Sequence, residues 1–137
     1  MTHTVILAIL IACGGQPANP PGNTTNSTRP TPLILSASGD AVAGRIVFEK
    51  QGCAVCHSTG TDQIVGPGMA GLFSADGPIL PPGVDYQGNL PNGQPHTEQA
   101  VAAFIRSNNR GQIGFMMGRT MSDADMADLL AYLRTLK

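Results

Sequence analysis

The chain has 137 residues, enough for one small domain, and 42% of them are apolar. Its net charge is −1, with no basic run and no interleaving of basic and aromatic residues, which argues against nucleic acid as a partner. Aromatic residues are scarce (four Phe, two Tyr, no Trp), while 17 Gly and 11 Pro imply abundant loops. Such a core is short of bulk, and a large bound cofactor would supply it.

The N-terminal run "VILAILI", Val5 to Ile11, is wholly apolar. It is far shorter than the roughly 20 residues that a membrane-spanning helix needs, and it fits the apolar region of a secretory signal. "LIAC", ending at Cys13, resembles the lipobox of bacterial lipoproteins. The resemblance implies that residues 1–12 are a signal peptide and that Cys13 carries lipid. Two or three acyl chains, at about 0.8 kcal/mol per buried CH₂, hold a protein stably on a membrane. That would anchor this chain to the outer face of the bacterial cytoplasmic membrane, on the periplasmic or extracytoplasmic side. The stretch "GGQPANPPGNTTNSTRPTP" that follows is dominated by Pro, Asn, Thr and Gly and has no helical or strand period. Residues 13–37 are therefore expected to form a lipidated tether, and residues 38–137 the folded domain.

Within that domain, Ala41, Gly44, Ile46, Val47 and Phe48 follow a helical rhythm, with Ser38 or Asp40 as N-cap and Gly52 as stop. A second long helix begins after Thr97, where Val101, Ala102, Phe104 and Ile105 recur near helical period. The last helix opens on Ser122 and Asp125, a capping-box-like pair. It continues through Met126, Leu129, Leu130, Leu133 and Leu136 to Arg134 and Lys137, cations that suit a helix C-terminus. Residues 75–96 are too rich in Pro and Gly for a long element. No stretch alternates as a strand should, and the fold class expected is all-α.

Between the first helix and the loop lies "GCAVCHS", with Cys53, Cys56 and His57 in immediate spacing. A dithiol redox site would place this CxxC at the start of a helix after a buried strand, and none is present. A zinc site would need a second pair of ligands, whereas His3 and His96 are isolated. Covalent haem uses every residue as spaced: both thiols form thioethers to the haem vinyl groups, and the adjacent His ligates the iron. The cofactor expected is therefore one haem c.

Three separated motifs then carry a resemblance to class I, single-haem cytochromes c, from about Asp40 to Lys137. "GDAVAGRIVFEKQGCAVCH" resembles the family's first helix and haem-binding motif, with Gly44 and Phe48 where the N- and C-terminal helices cross. "GPGMAGLF" resembles the family's GPxLxGLF loop, and "MSDADMADLLAYLRTL" resembles its last helix, including Tyr132. The resemblance implies a fold in which terminal helices cross around the haem. It implies haem attachment at Cys53 and Cys56, iron ligation by His57, and a Pro67 carbonyl that accepts the imidazole N–H. The sixth ligand in this family is a Met shortly before the last helix. Met116, six residues before Ser122, is favoured; Met117 is the alternate. Met121 and Met69 are read as core.

With both axial positions filled, the function implied is one-electron transfer, with no small-molecule substrate and no enzymatic activity. The partners would be redox proteins, either met by a tethered shuttle or present as subunits of a membrane respiratory or photosynthetic complex. The alternative is a haem enzyme or gas sensor with an open sixth position. The loop at 77–95 is either a docking surface or a cover over the haem propionates. His96 is read as a solvated helix-start residue, and Arg106 and Arg110 as surface charges.

Overall fold

A computed structural model describes residues 38–137. The expected signal peptide (1–12), the lipidated Cys13 and the tether to residue 37 lie outside the described residues. Helix α1 spans Ala41–Lys50. Its N-cap is Asp40, whose carboxylate accepts from the Val42 and Ala43 backbone N–H groups at 2.7 and 3.4 Å. The backbone leaves the helix at Gln51 and turns at Gly52, whose φ of 71° lies in the left-handed region that glycine adopts without a Cβ penalty. Helix α2 spans Glu98–Arg106, capped by the Thr97 hydroxyl, which accepts from Ala100 N–H at 3.3 Å. Helix α3 spans Asp123–Leu133.

The capping pair of α3 differs from the box expected from sequence. Ser122 Oγ accepts from Asp125 N–H at 3.0 Å, and the Ser122 hydroxyl in turn donates to the Asp125 carboxylate at 2.7 Å. Asp is one methylene shorter than Glu, so it stops at the hydroxyl and does not reach back to the cap's backbone N–H. The helix also ends earlier than the leucine period suggests. Arg134 is the C-cap, and Leu136 lies beyond it, where its carbonyl accepts from Gly71 N–H at 3.1 Å.

Helices α1 and α3 form the main packing pair. They approach so closely at Gly44 that a Cβ there would collide with the Asp128 carbonyl and the Tyr132 side chain. One turn on, Phe48 meets Tyr132 edge to face, with ring centroids 5.7 Å apart and planes at 64°. Polar links support the same crossing: Asp40 N–H donates to the Asp128 carboxylate at 2.7 Å. Helix α2 is tied to α3 at both ends. Arg106 pairs with Asp123 at 2.7 Å, and Glu98 pairs with Arg134. Arg106 is thus committed to the α2–α3 junction. Arg110 stays at the surface, its guanidinium 5.9 Å from the Phe115 ring centre.

The core gathers Val47, Phe48, Leu72, Val101, Ile105 and the inner face of α3, where Met126, Leu129 and Leu130 are almost fully buried. Met69 belongs to this core, and Met121 packs against it, both as expected from sequence. The fold is mostly helical, with one departure from the all-α expectation. Asn109–Arg110 (β1) and Phe115–Met116 (β2) pair antiparallel, Asn109 opposite Met116 and Arg110 opposite Phe115. Two-residue strands are too short to show any alternation, so their pairing is invisible to a period-2 reading of the sequence.

Candidate haem site

Past Gly52 the chain enters a single 3₁₀ turn, Cys53–Val55. The Cys53 carbonyl accepts from both Cys56 and His57 N–H, at 3.1 and 3.0 Å. This tight turn sets both thiols and the imidazole on one short segment. The next loop folds back onto it: Val65 and Gly66 N–H both donate to the Cys56 carbonyl, at 3.1 and 2.9 Å. Gly66 then lies against the His57 ring, where any Cβ would press on the imidazole. Pro67 follows, and its carbonyl accepts from His57 Nδ1 at 2.8 Å. A carbonyl only accepts, so Nδ1 carries a proton, and in the neutral ring Nε2 is the nitrogen with the lone pair.

Cys53, Cys56 and His57 line one cavity together with Met69, Leu72 and Leu129. Both cysteines are half-buried. Burial pushes the Cys53 thiol above its ordinary pKa, and the nearby Arg119 charge partly offsets that. Met116 and Met117 reach the same cavity from β2 and the residue after it. They differ in environment: Met116 is half-buried and packs against the core, whereas Met117 is 58% exposed.

Two further segments complete the walls. The loop 77–95 contributes Pro78, Leu80, Tyr86 and the buried Leu90. It is tied to the β1–β2 turn by Tyr86, whose hydroxyl accepts from Ile113 N–H at 3.3 Å. Gln112 adds two hydrogen bonds to the Asp85 backbone, donating to its carbonyl at 2.7 Å and accepting from its N–H at 3.3 Å. The Asn108 side chain accepts from Gly118 N–H at 3.0 Å, closing the segment that carries Met116. These braces were not legible in the sequence, because each joins residues that are far apart or in irregular backbone.

His96 departs from its expected place. Its ring lines the cavity, and its Nδ1 donates to the Leu72 carbonyl at 2.7 Å. It is therefore a half-buried part of the wall and not a solvated helix-start residue.

The residues present fit a covalently bound haem. Two thiols and an imidazole with its Nδ1 already committed open onto a cavity whose other walls are largely apolar. A zinc centre fits less well: among the described residues no group of three or more His, Cys, Asp or Glu converges. No described helix is long and apolar enough to cross a membrane.

Comparison with known proteins agrees. Residues 41–137 match the family model for cytochrome c. A protein of Synechocystis sp. described as cytochrome c-553-like is 30% identical over 103 residues, covering 75% of each chain. With a haem-attachment motif in the turn, a cavity built around it and a family match along nearly all of the described domain, this chain belongs to the cytochrome c family, whose members carry electrons on covalently attached haem c.

Proposed function

We propose that the protein is a membrane-tethered one-electron carrier whose haem would be held through Cys53 and Cys56, with His57 and Met116 as the residues that ligate its iron. When bound, the haem supplies the Fe(II)/Fe(III) couple. The observation that carries the ligand assignment is the His57–Pro67 hydrogen bond, which fixes the tautomer and leaves Nε2 to ligate. The assignment of Met116 over Met117 is supported by burial: Met116 packs against the core, while Met117 is exposed. On a bound haem a Met116 thioether would favour the ferrous state, and the apolar walls would disfavour added positive charge, so a fairly high potential is expected. With both His57 and Met116 on the iron, the haem would offer no position for a small substrate.

The residues around the mouth bear on partner choice. Val65, Phe115 and Met117 line the cavity and are more than half exposed. With a net charge of −1 on the whole chain, steering by charge is modest, and brief apolar docking by a redox protein fits this rim. Such a partner is either a mobile protein or a subunit of a membrane electron-transfer complex. The lipobox-like "LIAC" supports attachment at Cys13 and a tethered domain at residues 38–137.

The visible spectrum of the oxidised and reduced protein tests the site, recorded again after acid extraction of free haem. Colour retained by the polypeptide and a weak sulfur-to-iron band in the oxidised form are expected. A high-spin oxidised spectrum without that band, with prompt carbon monoxide binding when reduced, would replace the carrier with a haem enzyme or gas sensor. For the tether, a Cys13→Ser variant is expected to leave the membrane fraction; unchanged fractionation would sink the lipid anchor.

A further inference from the structure

Among the described residues, one buried side-chain nitrogen has no hydrogen-bond partner: Nε2 of His96. Its ring is held from two sides. Nδ1 donates to the Leu72 carbonyl at 2.7 Å, and Gly77, at φ 72°, lies so close that any Cβ would strike the ring. The same arrangement holds His57, with Pro67 as the carbonyl and Gly66 as the close glycine. Leaving a buried nitrogen unsatisfied carries its full desolvation cost, so a ring clamped in this way implies a partner that the protein chain does not itself provide.

The ring lines the cavity that Cys53, Cys56 and His57 share. A haem held there by its vinyl groups and iron has only its two propionates left as hydrogen-bonding groups. We propose that His96 binds a haem propionate through Nε2. The inference rests on Cys53, Cys56 and His57 holding the haem. Because Nδ1 already donates to Leu72, a bond between Nε2 and a carboxylate requires one shared proton. Whether that proton resides on the imidazole or on the carboxyl group, it cancels one negative charge near the iron. Less negative charge there favours the ferrous form and raises the potential. The other charged or titratable side chains lining the cavity are Asp76, Arg119 and Tyr86. Arg119 acts on the Cys53 thiol, at the edge where the haem vinyl groups attach.

The test compares haem-loaded wild type with His96→Asn and His96→Gln. Asn keeps a donor near the Nδ1 position for Leu72 and drops Nε2; Gln does the reverse. Midpoint potentials and thermal stability are measured after confirming that colour stays with the denatured polypeptide. The expected order of potentials is wild type highest, Gln next and Asn lowest. Equal potentials would overturn the proposal, as would an Asn variant like wild type beside an unstable Gln variant, the pattern of a purely structural His96. If neither variant matures, nitrogen-15 spectra of the reduced wild type decide instead. A hydrogen-bonded Nε2, with the shared proton exchanging slowly with water, is expected, and an Nε2 in no hydrogen bond would overturn the proposal. A wild type without covalent haem would fail the site assignment itself, which separates the two failures.

Discussion

At Gly44 two tendencies of the same residue oppose each other. Replacing a mid-helix glycine by alanine ordinarily gains about 1 kcal/mol of helix propensity. Here the added methyl would meet the Asp128 carbonyl and the Tyr132 side chain, and neither backbone nor Cβ can swing aside. Overpacking of this kind costs about 1–3 kcal/mol. Gly44→Ala is therefore expected to destabilise the haem-loaded protein by guanidinium denaturation, and a stabilised variant would refute the close crossing. The two methionines make a second contrast at this scale. Met116→Ala is expected to abolish the sulfur-to-iron band and admit carbon monoxide to the reduced protein, while Met117→Ala retains the band. The reverse result would transfer the ligand to Met117. Both residues were visible in the sequence as candidates, but their different burial was not, because it depends on which way a two-residue strand faces the core.

The elements divide by how local their causes are. Helices α1, α2 and α3 rest on caps and apolar periods within a few residues of each other, and all of them were legible. Replacing Asp40 by Ala removes the acceptor for two backbone N–H groups and is expected to lower stability by about 1 kcal/mol, measured by the same denaturation. The β1–β2 hairpin has another kind of cause. It is held by Asn108, by Tyr86 and by the paired bonds between Gln112 and Asp85, which span 27 residues. Gln112→Ala should loosen the loop 77–95 on the hairpin, leaving the Tyr86 bond in place, at a cost of about 1 kcal/mol. It is also expected to speed displacement of the methionine by added imidazole in the oxidised protein. A stability loss without faster displacement would mean that the loop braces the fold but not the ligand.

For the molecule as a whole, the shortage of aromatic side chains acquires a structural meaning. The core is completed on one side by α1 packed on α3, and on the other by walls that face the haem cavity. Without haem those apolar walls meet water, and a domain of about 100 residues has little stability to spare. A Cys53→Ser/Cys56→Ser double variant, which cannot form the thioethers, is expected to lose near-ultraviolet circular dichroism and cooperative unfolding. A cooperative transition like that of the haem-loaded protein would show that the helices suffice alone.

Residue order by itself determined the helices and the Cys53/Cys56/His57 motif, through caps, apolar periods and a spacing that covalent haem uses in full. Its resemblance to a known family added the Pro67 carbonyl and the pair of candidate methionines. Tertiary structure decided which methionine is buried, how the Pro/Gly-rich loop grips the hairpin, and that His96 stands in the cavity wall. Those outcomes follow from packing between segments far apart in the chain, and long-range packing leaves no period, cap or spacing for a sequence to display.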